Sequence, residues 1–488
     1  MIGIVFRVAS GLPPEALHAL EVVRSLLGTE TRIETTAAPA RSDELTIAVG
    51  PAAATGHDAA LHVPVEEWLA WTPAAVRLTD WDGLPLLVTG PDEPSRDPKR
   101  VPAGWLRAIA FLVCREEERA IDRRDQWDCF AAPFSRLHEL DVLDRPIVNE
   151  WVARLEQLVR ETTARRGGSL PVRPRWPNGA RFAVALTHDV DWTRRFSWVD
   201  GLREIRRARG PRDYAFRHGV TTVLGALRHG RSDHDPYWSF DRWVEEETRR
   251  GFRSSFFVCP PDPVREHPYD PTYRFGDPVR FRERMTTLGA MFRQMADGGF
   301  EIGVHGSYRS FRDPEALSRQ RDAVAQVVGR EVTGIRQHFL RFDAATTWAA
   351  QDRGGYRHDT TLGYNEGVGF RAGVAAPFPA WDPARRRALA MLEVPTTVMD
   401  GVLFRTLGLD AEAAARRTVE HLRRVEACGG LAVLLWHPNA TDEQAFPGWW
   451  RCYLTVLDDL AARGAWVTSA AGIADAWRAR AAAHGESS

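Results

Sequence analysis

The chain has few cysteines for its length, and their spacing predicts no shared site. Five cysteines occur in 488 residues, no two of them form a CxxC pair, and their number is odd. This spacing argues against both a disulfide framework and a thiolate zinc site. The first twenty residues also lack a basic segment followed by a long apolar core and a small-residue cleavage site, so we expect no secretory signal. We therefore expect a cytoplasmic protein with reduced thiols.

Long apolar runs and an excess of charge of one sign are also missing. No apolar run approaches the ~18 residues that a transmembrane helix needs, so no membrane span is expected. The net charge is -1 and the pI is about 7.0, which provides no electrostatic case for nucleic acid or an anionic membrane surface as partner. Lysine is nearly absent, with Lys99 as its only occurrence, so arginine supplies the basic charge. No GxGxxG motif follows the first candidate strand, so a dinucleotide site has no support.

The length predicts two or three domains at a typical ~150 residues per domain, although barrels run larger. Residues 1–166 are predicted to form a smaller α/β domain, since "GIVFRVA" and "ELTIAVG" resemble strands and "PPEALHALEVVRSLLG" has helical periodicity. The proline- and glycine-rich stretch 167–179 is the predicted linker. Residues 180–488 form the predicted main domain, with an arginine-rich helical insertion near 194–235. Its charge run favours a solvated face over a binding patch.

After residue 179, short apolar runs alternate with amphipathic helical segments. This alternation predicts βα units and, as the fold class, an α/β protein with a distorted (β/α) barrel of about seven strands. An open doubly wound sheet is the alternative. The candidate strands are 181–187, 254–259, 300–305, 332–338, 388–399, 431–437 and 465–470, with 358–365 as a further short one.

Polar residues gather at the carboxyl ends of these candidate strands. Such ends open on one face of a parallel barrel, where active sites are built. One histidine at a strand end is usually a packing residue, but four strands supplying such groups to one mouth indicate a functional site. A divalent ion held by imidazole and carboxylate lowers the pKa of water and polarises a carbonyl, so metal-assisted hydrolysis is the predicted chemistry. The residues are His188, Asp189, Asp191, His305, Arg336, His338 and His437.

Six motifs along this part of the chain resemble those of a known family. "LTHDVD", "SSFFV", "EIGVHGSYRS", "GIRQHFLRF", "GYNEGVGFRAG" and "LLWHP" occur in the order and approximate spacing of NodB-homology polysaccharide deacetylases (carbohydrate esterase family 4). The resemblance covers roughly residues 180–475. It implies a distorted (β/α) barrel that removes acetyl groups from sugars with one divalent ion, zinc being the expected metal. "FLVCREEERAIDRRDQWD" and "LDRPIVNEWVARLEQL" resemble an uncharacterised region that precedes such domains in some bacterial proteins.

The resemblance assigns the metal ligands. Asp189 matches the base aspartate and Asp191 the metal aspartate, and a separation of two residues in a strand places both on one face. His305 matches the first histidine of an HxxxH pair, but Arg309 stands at the second position. Arginine has no free lone pair and cannot bind a metal. His338, at the end of the next strand, is the best replacement ligand, with a core or substrate-contacting role as the alternative. His188 is the second choice, because strand alternation turns it away from the two aspartates.

The remaining roles follow from the later motifs. Arg336 matches an arginine that orients the base, with a structural ion pair as the alternative. The backbone amide near Phe339 matches an oxyanion donor, and His437 matches a general acid. Arg371, in the glycine-rich stretch 363–373, is a candidate sugar or carboxylate contact, although a surface loop explains that stretch equally well.

These observations predict a deacetylase that hydrolyses the acetyl amide or ester of a sugar in a polysaccharide, glycolipid or precursor. The first alternative is a non-catalytic carbohydrate-binding or assembly protein with a degenerate metal site, which Arg309 favours. The second is an amidohydrolase acting on a small non-sugar amide. The expected partner is an acetylated carbohydrate, and Trp192 and Trp436 are the tryptophans nearest the motifs.

Overall fold

The computed structural model describes residues 3–35, 44–51, 59–65, 68–90, 100–171, 174–229, 234–261 and 267–483. Parts of all the predicted segments therefore lie outside the described residues: several stretches of the N-terminal domain, residues 172–173 of the linker, 230–233 of the insertion, and 262–266 and 484–488 of the main domain. Within the described residues, no helix combines the length and apolar character that crossing a membrane requires.

The N-terminal part contains a small parallel sheet with helices packed on it. Its four strands are ordered β2-β1-β3-β4, and β5 and β6 form a separate antiparallel hairpin. The elements are β1 Gly3–Val8, α1 Pro14–Leu26, β2 Thr31–Thr35, β3 Glu44–Gly50, β4 Leu61–Pro64, β5 Arg77–Trp81, β6 Leu84–Val88, α2 Trp105–Val113, α3 Glu116–Ala120, α4 Arg136–Glu139 and α5 Ile147–Arg165.

A ten-stranded sheet dominates the rest of the chain, and β9 and β10 form a hairpin outside it. The strands are β7 Ala183–Val190, β8 Ser255–Val258, β9 Pro278–Phe281, β10 Arg284–Thr287, β11 Glu301–Gly306, β12 Gly334–Gln337, β13 His358–Asp359, β14 Phe378–Asp382, β15 Arg387–Glu393, β16 Val398–Met399, β17 Leu431–Leu435 and β18 Trp466–Thr468. The helices are α6 Trp198–Arg207, α7 Tyr214–His229, α8 Phe240–Arg249, α9 Leu288–Asp297, α10 Pro314–Val328, α11 Thr347–Arg353, α12 Ala411–Ala427, α13 Trp449–Arg463 and α14 Ala470–Ala482.

The large sheet is parallel except at one edge. Its order is β14-β15-β13-β12-β11-β8-β7-β17-β16, with β18 paired to the start of β7, and only β14 runs antiparallel. The predicted strand 388–399 is two strands, because Pro395 between them has no N–H for a ladder. β14 was not among the predicted strands, and its internal Pro379 fits an edge strand.

The sheet is curled. Three inter-strand steps separate β12 from β7, which is roughly 14 Å in a flat sheet. Arg336 on β12 nevertheless lies 2.9 Å from Asp189 on β7, so the sheet must bend to bring the two strands face to face. The α/β class is confirmed, and the carboxyl ends of the parallel strands meet at one opening.

The N-terminal part packs directly on this sheet. Arg371 donates to both carboxylate oxygens of Glu118, at 2.7 and 2.9 Å, and all of these groups are buried. Asn149 on α5 accepts a hydrogen bond from the backbone N–H of Ala375 (2.8 Å). Buried apolar residues of both parts belong to one continuous cluster.

Candidate metal centre

Three potential metal ligands converge at the carboxyl ends of the strands. One donor atom from each of Asp191, His305 and His338 lies within 4.8 Å of the other two. His305 Nε2 is 3.2 Å from Asp191 Oδ1, and His338 Nε2 is 3.6 Å from the same oxygen. His305 is the next-to-last residue of β11, Asp191 follows β7 and His338 follows β12, so the position of the three groups depends on the curvature of the sheet.

The chemistry of these donor atoms fits a divalent cation. Asp191 Oδ1 and His305 Nε2 are buried and have no hydrogen-bond partner among the described residues, which is costly for polar atoms. The Nδ1–H of His305 donates to the backbone oxygen of Arg336 (3.1 Å), so Nε2, which faces Asp191, is the ring nitrogen left to bind a metal. Two imidazoles and one carboxylate form the type of ligand set that holds zinc with an open position.

Electrostatics in this cluster also favour a positive charge. Burial alone would raise the pKa of Asp191, but the neighbouring His338 and His305 outweigh it and hold that pKa well below its usual range. Burial would lower the pKa of His305, yet Asp189 and Asp191 raise it above its ordinary value. A cation at this position would therefore compete with a proton on His305, which couples metal binding to pH.

Asp189 lies beside the ligands in a fixed orientation. Arg336, completely buried, donates from one terminal nitrogen to Asp189 Oδ1 and to Thr187 Oγ1, both at 2.9 Å. Its other terminal nitrogen donates to Thr396 Oγ1 (2.9 Å). Asp189 Oδ2 remains directed towards His305, 3.9 Å from Nε2. The guanidinium thus holds one carboxylate oxygen, and the other faces the ligand cluster.

His437 approaches the cluster from the opposite side. Its Nδ1–H donates to Asp400 Oδ1 and its backbone N–H to Asp400 Oδ2, both at 2.8 Å. Its Nε2 is 3.6 Å from Asp191 Oδ2. Burial lowers the pKa of His437, but Asp400 outweighs burial and raises that pKa to about 9. The imidazole therefore carries a proton at neutral pH. Asp400 was not among the predicted site residues, although it directly follows the apolar run of β16.

The cluster lies in a cavity of about 590 Å³ with aromatic walls. Phe339 lines it and has a left-handed backbone conformation (φ 59°), which is uncommon for a residue other than glycine. Trp127, from the N-terminal part, stacks on the Phe339 ring with centroids 4.8 Å apart. Trp192 and Tyr269 also line the cavity. Trp127 belongs to the quoted N-terminal stretch 111–128 and Tyr269 lies outside the six later motifs, so the sequence alone did not place either ring at the site.

Asp270 is a further cavity carboxylate that the sequence analysis missed. Its Oδ1 is 3.7 Å from His338 Nδ1, and it accepts a hydrogen bond from the backbone N–H of Tyr308 (2.6 Å). It therefore lies beside the His338 ring, at a distance longer than a hydrogen bond.

Four residues singled out in the sequence lie away from this cluster. His188 is turned outward, where its ring contacts Trp436 O (2.8 Å) and Glu247 (2.9 Å). Arg371 is buried against Glu118 and does not line the cavity, so the structure does not place it as a substrate contact. Arg309 is exposed and is also absent from the cavity wall. Trp436 is buried in the core.

Comparisons with known proteins concern the two parts of the chain separately. Residues 14–164 match the model of a family of unknown function, DUF7033. No curated protein matches the sequence.

Among solved structures, the chain is similar to a protein from Mycobacterium smegmatis assigned as a polysaccharide deacetylase: 20% identity, 62% of this chain, 93% of that chain, TM-score 0.40. A protein from Pseudomonas aeruginosa with the same assignment shows 15% identity, 63% and 95% coverage and a TM-score of 0.40. A carbohydrate esterase family 4 pseudoenzyme from Bacillus anthracis shows 13% identity, 62% and 67% coverage and a TM-score of 0.26.

Proposed function

We propose that the protein is a metal-dependent deacetylase that hydrolyses the acetyl amide or ester of an acetylated sugar, within a barrel of about seven strands. One observation carries the proposal. The ligand atoms of Asp191, His305 and His338 converge beside Asp189, while the protonated His437 faces them from the other side. The buried Asp191 Oδ1 and His305 Nε2, without hydrogen-bond partners among the described residues, support a bound cation over packing alone.

Asp191, His305 and His338 would hold one divalent ion, and zinc matches their chemistry. When bound, such an ion would polarise the acetyl oxygen and make water a better nucleophile at neutral pH.

The chain's own residues would move the protons. Arg336 immobilises Asp189, so that its free oxygen can take a proton from the attacking water as general base. His437, held by Asp400, can donate a proton to the leaving amine. The backbone N–H near Phe339 is the proposed donor to the developing oxyanion.

The shape and composition of the cavity support a sugar as substrate. Trp127, Trp192 and Tyr269 provide apolar faces, and carboxylates and arginines on the same walls provide hydrogen-bonding groups. We further propose a cytoplasmic intermediate of polysaccharide or glycolipid synthesis as the acetylated sugar.

Metal content and acetate release together test this function. Protein purified without chelator is expected to hold about one zinc or similar ion per chain. Substituting Asp191, His305 or His338 by alanine should abolish metal binding. Arg309→Ala, at an exposed position outside the cavity, should leave the metal content unchanged. Asp189→Asn should keep the metal but release acetate from N-acetylated oligosaccharides about 10²–10⁴-fold more slowly.

The alternatives predict other results. Folded protein that stays metal-free and releases no acetate would instead support a non-catalytic carbohydrate-binding protein. Metal-containing protein that cleaves only small non-sugar amides would support an amidohydrolase.

A further inference from the structure

The two helices that follow β7 expose an unusual number of apolar side chains. The described residues of the whole chain expose nine large hydrophobic side chains, and five of these lie on α6 and α7. They are Trp198, Val199, Leu202, Leu224 and Leu227, with exposed fractions from 44 to 64%. Scattered exposed leucines need no explanation, but a cluster of this kind marks an interaction site.

These five side chains gather at one end of the helical hairpin. The helices cross where Gly201 approaches Gly219 and Val223, so closely that a Cβ on Gly201 would lie 2.7 Å from Val223 Cγ2. Because a short connection makes the helices antiparallel, the start of α6 lies beside the end of α7. We call the five residues the apolar end.

The same hairpin carries a strong positive charge. Residues 198–229 contain seven arginines against Asp200, Glu204 and Asp213, a net charge of +4 in a chain whose total is -1. Four of these arginines are exposed and form no ion pair with a described residue: Arg206, Arg212, Arg217 and Arg228. The sequence alone favours a solvated face, but a solvated face gives no reason for the apolar end beside it.

We propose that this hairpin docks the protein on the surface of a bilayer that contains anionic lipids. Exposed tryptophan and leucine next to exposed arginine is the composition of helices that lie in a membrane interface. The apolar end would enter the boundary between headgroups and acyl chains, and the arginines would contact lipid phosphates. The near-neutral net charge of the whole chain does not reveal this local match between exposed arginines and anionic lipids.

Docking would have a consequence for the substrate. Other residues of the hairpin, Arg203, Glu204 and His218 among them, line the cavity that holds the candidate metal centre. The hairpin therefore connects the lipid surface to that cavity. This inference about the substrate rests on the proposed function. If the protein is a deacetylase, its acetylated sugar is carried by a lipid.

Vesicle co-sedimentation of full-length Asp189→Asn protein tests docking without turnover. We expect binding to phosphatidylcholine vesicles that contain phosphatidylglycerol, little binding to pure phosphatidylcholine, and release by salt. Leu224→Ser/Leu227→Ser should weaken binding at least about tenfold. Arg212→Gln/Arg217→Gln should weaken it about fivefold for each arginine. Leu17→Ser and Arg284→Gln, at exposed positions elsewhere, are the matched controls.

Three results would overturn docking. The first is folded protein that ignores the anionic vesicles, and the second is binding that the leucine substitutions leave unchanged. The third is a wild-type dimer that becomes monomeric in Leu224→Ser/Leu227→Ser, since the apolar end would then contact a second copy.

Acetate release from a soluble acetylated oligosaccharide by otherwise wild-type protein is measured separately. Vesicle binding without any acetate release would support docking and reject the deacetylase function. Acetate release without vesicle binding would reject docking and support the deacetylase function.

Discussion

His437 is held by Asp400 through two hydrogen bonds, one from the ring and one from the backbone. This arrangement fixes the direction of Nε2 and stabilises the protonated ring. A general acid needs both properties, because the amine produced by amide cleavage is a poor leaving group until it is protonated.

Replacing His437 should therefore affect substrates according to their leaving groups. His437→Ala is expected to slow acetate release from an N-acetylated sugar about 10²–10⁴-fold. Hydrolysis of 4-nitrophenyl acetate should fall far less, since nitrophenolate leaves without a proton. Asp400→Asn should also slow hydrolysis of the N-acetylated sugar more than that of 4-nitrophenyl acetate, with a smaller loss of rate than His437→Ala. An equal loss on both substrates, or loss of bound metal, would contradict the acid role.

At the scale of elements, the buried Glu118 joins the N-terminal helices to the large sheet. Arg115 and Arg371 both contact it, and although burial would raise the pKa of Glu118, these arginines lower it to about 2. Removing one partner of a buried ion pair leaves an incompletely compensated charge, which is more costly than losing a surface pair.

Arg371→Ala is therefore expected to lower the free energy of unfolding by about 3–5 kcal/mol. Urea unfolding followed by tryptophan fluorescence measures this change, with the exposed Arg416→Ala as a control that should change little. The KM for the sugar should stay unchanged under conditions where the variant is folded. A raised KM with unaltered stability would instead support the substrate contact that the sequence allows.

For the whole molecule, two buried histidines link stability to pH. Burial lowers the pKa of His18 to about 4 and that of His421 to about 3, and no ring nitrogen of either has a hydrogen-bond partner among the described residues. In the unfolded chain a histidine has a pKa near ~6.5. Below that pH the unfolded state binds protons that the folded state excludes, so acid favours unfolding.

Each of these two histidines is expected to contribute its full stabilisation above pH ~6.5 and to lose it as the pH falls towards ~4, by up to ~1.4 kcal/mol per pH unit. His421→Leu should reduce the dependence of the free energy of unfolding on pH by the contribution of one histidine. The exposed His138→Leu should leave it unchanged, because that ring is solvated in both states. Urea unfolding at pH 7, 6 and 5 measures the slopes, and equal slopes in the wild type and His421→Leu would contradict the assignment.

Local pattern was enough to predict much of the fold. Short apolar runs between amphipathic helices predicted the α/β class, and most candidate strands overlap strands of the large sheet. The pattern failed where proline interrupts a run, at Pro379 in β14 and at Pro395 between β15 and β16, because periodicity alone does not show where a ladder is broken.

By itself, the sequence determined which groups stand at the strand ends and which of them share a face. Period-two alternation is a local property of a strand, so it is enough to place His188 on the face opposite Asp189 and Asp191. Only the tertiary structure brought His338 to Asp191 and added Asp400 and Trp127 to the site. It also turned Arg371 into an inter-element ion pair. These contacts join residues tens to hundreds of positions apart, and they depend on how far the sheet curls, which no local pattern records.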